Sequence, residues 1–332
     1  MAAPDSPLAD LFLTPAPSEL AYFTSLAGME EILSTGAVPL LDARRQNGSE
    51  FALAREIALE HVRAIPANDA AIGFARDFAQ KMIAGAFDES LPGTGPPIGY
   101  AVFYETAPSG STNAREPVQE SRGGERAVRM VLDLRSLKPE EQQNAVGSPA
   151  MSLAPCVYDR TEKQRLIQSV LGGFIEKVAQ LYRRVQDQWR SKVDYQLWAT
   201  VRRQSNLVFD LPTYGETVQN EFHRNRRAVA KEAQRELLRL AITFQDQALR
   251  EEREWRLVIL GAEPSTVEKE PGPEALNSGP EHAVNLKKAV DLRAPGGRLA
   301  VTRVWAESAS VEEVRKILEK NGYSVQLVEQ PR

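Results

Sequence analysis

The sequence predicts an α+β fold: one elaborated domain built on a mixed or antiparallel sheet, with long central helices and a C-terminal strand–helix–strand unit. Three observations predict it. Strand-like and helix-like stretches are interspersed irregularly instead of alternating as they do in a doubly wound sheet. Apolar residues from Leu166 to Val185 hold the helical period without interruption. From Glu254 to Leu260 the period drops to two, as in a strand.

Taken in order, the first 18 residues carry Asp5, Asp10 and scattered proline without an early cationic run, which predicts a flexible leader and not a secretory signal. Ala21 to Thr24 reads as a short aromatic strand. Leu26, Met29 and Leu33 then recur at helical spacing until Gly36, a residue suited to the left-handed position that ends a helix. A second helix is expected near Ser49, with Leu53 and Ile57 on one face, and a third after Asn68, with Phe74, Phe78 and Met82 in register. Ile98 to Tyr104 is dense in β-branched and aromatic residues, and Val128, Met130, Leu132 and Leu134 alternate, so two strands follow. Between them, 107–125 is rich in Ser, Gly, Pro and charge and reads as a mobile loop.

Cys156 to Tyr158 is a further strand candidate. Asp159 followed by Glu162 is a helix-start pattern, because each carboxylate can reach an otherwise unpaired backbone N–H. A helix from about Thr217 carries Leu237, Leu240 and Ile242. In the period-two stretch, Trp255, Leu257 and Ile259 take one face, and Glu252, Glu254 and Arg256 the other. A second mobile connection, 261–280, precedes Leu299–Trp305, the helix Val311–Lys320 and the strand Tyr323–Val328. Ser310 with Glu313 should cap that helix, and Asn321-Gly322 should end it.

The 332 residues carry 42% hydrophobic and 26% charged side chains, a globular composition, and a net charge of −4 that supplies no field for gathering nucleic acid. A single cysteine excludes an internal disulfide and fits a cytoplasmic setting. No run is long and apolar enough for a membrane span. Phosphate-loop, GxGxxG, HExxH and paired CxxC patterns are missing, so no structural metal is expected. His61, His223 and His282 sit in charged surroundings that predict solvent exposure. Cys156 sits in an apolar run that predicts inert packing. The basic cluster His223 to Arg227 is flanked by glutamates and reads as a solvated helix face.

What remains is polar residues beside strands: Tyr22 and Thr24; Asp42, Arg44, Asn47 and Glu50; and Glu252, Glu254 and Arg256. The stretches Tyr22-Phe23-Thr24-Ser25, Met29 to Gly36 and Asp42 to Phe51 resemble the opening of the bacterial domain of unknown function 2971 family. Glu252-Arg253-Glu254-Trp255-Arg256 is similar to that family's Glu-x-Glu-Trp-Arg strand, and Val157-Tyr158-Asp159 and the C-terminal unit also agree. Tyr22 and Asn47-Gly48-Ser49 depart from the pattern, which has a polar His-like residue and an Asn-Asp-Pro loop there. The resemblance runs from about Ala21 to the last residue and implies one domain over residues 19–332.

Through its likeness to ADP-ribosyltransferases, the resemblance implies an enzyme that uses NAD. Glu252, or else Glu254, would be the catalytic carboxylate. Tyr22 and Thr24 would hold the dinucleotide, Arg44 or Arg256 would meet its phosphates, and Glu50 would lie in the same cleft. Two other expectations stand beside it. Glu and Arg on one strand face pair with each other on a half-exposed sheet, with Trp255 simply core. The other is a rival function, a non-catalytic interaction protein of the kind found in phage-defence or prophage modules, recognisable by an apolar surface patch and not by convergent polar groups.

Overall fold

The computed structural model describes residues 7–43, 48–87, 98–106, 127–134, 150–192, 216–260, 299–306 and 310–329. The two expected mobile loops, 107–125 and 261–280, and Arg44 lie outside these residues. Within them the fold is α+β, as expected, and it divides into two compact units. One comprises 1–50, 92–159 and 242–332, the other 51–91 and 160–241.

The first unit is the sheet. In chain order its strands are β1 (Leu20–Ser25), β2 (Leu41–Asp42), β3 (Ile98–Glu105), β4 (Ala127–Leu132), β5 (Ala150–Pro155), β6 (Glu254–Leu260), β7 (Val301–Ala306) and β8 (Val328–Glu329). The six longer strands pair antiparallel in the order β5-β6-β3-β1-β4-β7. The two-residue strands are added at the side, β2 antiparallel to β3 and β8 parallel to β7. Pairing between β1 and β3 covers only Leu20↔Glu105 and Ala21↔Tyr104, while β1 pairs with β4 along its whole length. The sheet therefore parts between β1 and β3, and β2 takes over the edge of β3 at Gly99 and Tyr100.

Helices pack on one face of this sheet. Helix α1 (Pro7–Phe12) falls inside the expected leader. Its spacing explains why: Leu8, Leu11 and Phe12 share a helical face, and Leu8 and Phe12 are buried. Helix α2 (Leu26–Thr35) starts where Ser25 Oγ accepts the Gly28 N–H and stops at Gly36, whose φ of 68° is the left-handed cap expected from the sequence. Helix α7 (Val311–Lys320) buries Val311, Val314 and Leu318. It ends in a Schellman motif, with Tyr323 N–H donating to the Leu318 carbonyl and Gly322 N–H to that of Glu319. Met29, Ile32 and Leu33 of α2 and Val314 and Leu318 of α7 join Leu20, Phe103, Met130, Trp255, Leu257 and Val304 in the main core.

The second unit is helical: most of α3 (Gly48–Ala64), then α4 (Ala70–Ala86), α5 (Arg160–Lys192) and most of α6 (Glu216–Thr243). Asp69 Oδ1 accepts the Ile72 N–H and so caps α4. Phe74 of α4 stacks on Tyr182 of α5 at 4.9 Å, and Phe78 meets Phe174 at 5.8 Å. Phe74, Phe78 and Phe174 are among the register residues that the helical period picks out; Tyr182 is not.

Four expectations are corrected. Glu252 is not on the β6 face, because Gln247–Glu252 is a 3₁₀ turn and Arg253 adopts a left-handed conformation, φ 48°, before the strand begins. Ser310 makes no side-chain cap, since its backbone is helical at φ −107° and ψ −7°, where its oxygen does not reach the first-turn N–H groups. Tyr323–Val328 is mainly a 3₁₀ turn, Val325–Leu327, followed by the short β8. Cys156–Tyr158 is reduced to a single bridge, Val157 to Phe244, after the preceding β5.

Candidate functional site

Residues directly opposite in paired strands project to the same face, and chain neighbours project to opposite faces. The register therefore sorts the candidate residues. Glu254 pairs with Tyr104, Tyr104 with Ala21, Ala21 with Val131 and Val131 with Arg303, so these five form one row across one face. Arg256 and Val102 lie on that face as well, and so does Phe23. Tyr22 and Thr24 are neighbours of Ala21 and Phe23 and lie on the other face, where Tyr22 packs against the main core. The Tyr22 ring is 5.5 Å from Phe103 there, and Thr24 Oγ1 fills the space that a Cβ on Gly28 would need. The structure thus brings Glu254 and Arg256 together and sets Tyr22 and Thr24 on the opposite side of the sheet.

The Glu254–Arg256 pair is buried, each residue 3% exposed. A half-exposed ladder was the expectation; instead both faces of β6 are covered, Trp255, Leu257 and Ile259 on one and Glu254, Arg256 and Val258 on the other. Arg256 Nε donates to Glu254 Oε1 at 2.6 Å, and its Nη1 donates to the carbonyls of Ile242 and Phe244 at the end of α6. Gln245 Nε2 donates to Glu254 Oε2 at 2.8 Å. The guanidinium lies 5.1 Å from the Tyr100 ring. Burial opposes the charge of Arg256, but Cys156 and Glu254 outweigh it and hold the proton more tightly than in a free arginine.

Sequence reasoning did not single out the phenols around this pair. Tyr158 Oη accepts the Glu254 backbone N–H at 2.8 Å. Burial pushes the Tyr104 and Tyr158 hydroxyls well above the ordinary tyrosine range, and Tyr100 up to about 12. All three are therefore neutral proton donors at physiological pH. The Tyr158 signal was in the sequence as the Val157-Tyr158-Asp159 agreement; Tyr104 and Gln245 become legible only through the pairing.

Glu252 stands apart from the closed pair. It is half-buried at the end of the 3₁₀ turn, and burial, followed by the charge of Glu254, pushes its carboxyl above the usual range. Its charge is one of the lesser influences that raise the Tyr104 and Tyr158 hydroxyls. The turn is fixed by backbone bonds, Glu105 N–H to the Arg253 carbonyl at 3.1 Å, and by Trp255 Nε1 donating to Glu105 Oε1 at 3.0 Å. Glu50, in the first turn of α3, bonds Ser49 Oγ at 2.7 Å and acts electrostatically on Tyr100, toward the far end of the same face. Perturbed carboxyl and phenol groups gathered at a strained turn are the pattern that chemical sites share.

Among the described residues no helix is long and apolar enough to cross a membrane. In comparisons with known proteins, no family model, no curated protein and no solved structure matches the chain.

Proposed function

We propose that the chain is an ADP-ribosyltransferase-like enzyme acting on NAD, with Glu252 as its reacting carboxylate. The observation that supports it is the contrast between two glutamates two residues apart. Glu254 is buried and its two oxygens are held by Arg256 and Gln245, so it frames the site. Glu252 is half-buried with raised proton affinity, and its charge is felt by two neutral phenols. The resemblance to the domain of unknown function 2971 family supports the same assignment of Glu252.

NAD supplies a ribosyl C1′–N bond that breaks with the electron pair leaving on nicotinamide. A carboxylate beside C1′ stabilises the positive charge that develops there, and it can take the proton released when an acceptor oxygen bonds to C1′. Of the expected dinucleotide-holding residues, Arg256 is committed to Glu254 and to carbonyls, and Tyr22 and Thr24 lie across the sheet. The groups on the Glu252 side are Tyr104, Tyr158 and Phe23, the last with its ring 5.5 Å from Tyr104.

Calorimetry with NAD and a nicotinamide-release assay test the reading. Wild type should bind and turn over NAD, and Glu252→Gln should lower turnover on the order of a hundredfold at unchanged fold. Absence of NAD binding, or unchanged turnover in the variant, would overturn it. That outcome favours the second reading, a non-catalytic interaction protein of a phage-defence or prophage module, which the separation of Tyr22 and Thr24 from Glu254 supports.

A further inference from the structure

The basic cluster His223 to Arg227 in α6, expected from its sequence to be a solvated helix face, is solvated only in part. Arg224 and Arg227 are exposed, but Phe222 is buried, and His223 and Arg226 are half-buried. Phe222 and Arg226 are four residues apart and share a helix face, as Phe74 and Phe78 of α4 do. The Arg226 guanidinium lies 4.7 Å from the Phe78 ring, 5.5 Å from Phe222 and 5.9 Å from Phe74. These contacts engage the face of the guanidinium, whereas its N–H groups lie in its plane and remain for an acceptor. Among the described residues the acceptor they meet is His223 Nδ1, 3.1 Å from Nη2. A guanidinium has donors and no acceptor, so Nδ1 accepts and the imidazole proton sits on Nε2. Nε of Arg226 is buried without a partner.

Arg226 is therefore a half-buried cation to which no carboxylate of the described residues is joined. From Phe222 to Lys231 the helix carries Arg224, Arg226, Arg227 and Lys231 and no acidic residue. Carboxylates elsewhere in the helical unit are committed: Asp69 to Arg183, Asp77 to Arg76 and Glu232 to Lys177. A partly desolvated charge without a counter-ion is unfavourable to hold, and burial, then the charge of Arg227, lowers the proton affinity of Arg226. A ligand anion would supply the missing charge. We propose that Arg226 anchors a site for the phosphate group of a small molecule, with His223 and Arg227 beside it. Two adjacent guanidinium groups favour a dianion over a singly charged carboxylate, and in-plane N–H groups match phosphate oxygens in pairs. The net charge of −4 gathers no polyanion, which selects a single phosphate over a nucleic-acid strand. The site stands on the helical unit alone and does not rest on the enzyme reading.

The test is calorimetric titration of the full chain with inorganic phosphate, sulfate, acetate and a ten-nucleotide single-stranded DNA, all at one ionic strength. Phosphate and sulfate should bind, and acetate should bind about tenfold or more weakly. Arg226→Gln should weaken phosphate about tenfold or more, as loss of a charge-assisted partner does. Arg226→Lys, which keeps the charge but not the planar fork, should bind phosphate with an affinity between those of wild type and the Gln variant. Arg76→Gln, which removes a cation of the same unit that is paired with Asp77, should bind phosphate as wild type does. Thermal melting reports whether each variant folds, and the Lys variant and the wild-type titrations decide if the Gln variant does not. No phosphate binding by wild type would overturn the proposal, as would folded Gln or Lys variants that bind phosphate as wild type does. Acetate bound as tightly as phosphate, or the DNA bound more tightly than phosphate, would overturn the choice of a small phosphate-bearing ligand.

Discussion

Glu254 and Arg256 stand two residues apart on one face of β6 and pair at 2.6 Å with both side chains out of water. Such a pair is retained at a desolvation cost that its Coulomb attraction alone does not offset, so its further hydrogen bonds decide its worth. Here they are present: two carbonyls take the guanidinium and Gln245 takes the second carboxylate oxygen. The pair thereby ties β6 to the end of α6, where Val157 also bridges to Phe244.

The first prediction follows directly. Arg256→Met leaves Glu254 a buried, unpaired anion and should cost about 3–5 kcal/mol, and Glu254→Leu should cost a similar amount. The double variant should cost clearly less than the sum, because neither charge is stranded. Urea unfolding of the four proteins measures the cycle. Additive losses would show that the two residues act separately.

How much of this was legible in the sequence depends on whether the signal was local. The strand at Glu254–Leu260, the Gly36 cap, the end of α7 at Asn321-Gly322 and the aromatic register of α4 and α5 each rest on residues within one or two turns of one another, and all appear as expected. What failed needed distant information. Nothing near Arg253 marks it as left-handed, since glycine or asparagine would be the usual sign. The strand Ala150–Pro155 lacks β-branched residues and forms by pairing with β6, about a hundred residues later. Above all, that Tyr22 lies on the other face of the sheet from Glu254 emerges only from the chain of pairings through Ala21 and Tyr104.

The second prediction concerns pH and Glu252. Its folded carboxyl is pushed above the ordinary value of 4.5, so between that value and the raised one the folded protein binds more protons than the unfolded chain. Stability should therefore fall as pH rises through that window. Glu252→Gln should flatten this slope and be at least as stable as wild type at neutral pH. A variant whose stability still falls by the wild-type amount across the window would show that another group is responsible.

The third prediction concerns the helical unit, where the guanidinium of Arg226 sits 4.7 Å from the Phe78 ring and its Nη2 lies 3.1 Å from His223 Nδ1. Burial, then Arg226 and Arg227, hold the His223 proton affinity below the ordinary 6.5. A histidine whose folded value is lowered resists protonation, so its contribution is intact above 6.5 and is lost as pH falls below that value. His61 is lowered by burial in the same direction, so the two must be separated. His223→Gln should remove part of the acid destabilisation between pH 6.5 and 5, and combination with His61→Gln should remove more. Acid unfolding that is identical in wild type and both variants would contradict it.

The last prediction isolates the strain at Arg253. A non-glycine residue in the left-handed region costs about 1–2 kcal/mol, because its Cβ approaches the following carbonyl. Arg253 bears that cost with a φ of 48°, while among the described residues its side chain makes a 3.5 Å contact to Glu105 from a largely exposed position, an ion pair of little worth. Arg253→Gly and Arg253→Ala both delete that contact, so their difference reports the backbone. At an unstrained position glycine is less stable than alanine by about 0.5–1 kcal/mol through its freer unfolded state. At Arg253 the relief of strain should cancel or reverse this, making the glycine variant equal to alanine or up to about 1 kcal/mol more stable, with Arg253→Asn between them. The same turn keeps Glu252 out of the β6 strand. A glycine there should therefore keep the fold while loosening that carboxylate, and on the proposed enzyme reading NAD turnover should fall in Arg253→Gly even as urea stability holds. Alanine more stable than glycine by the ordinary margin would mean that the turn stores no strain.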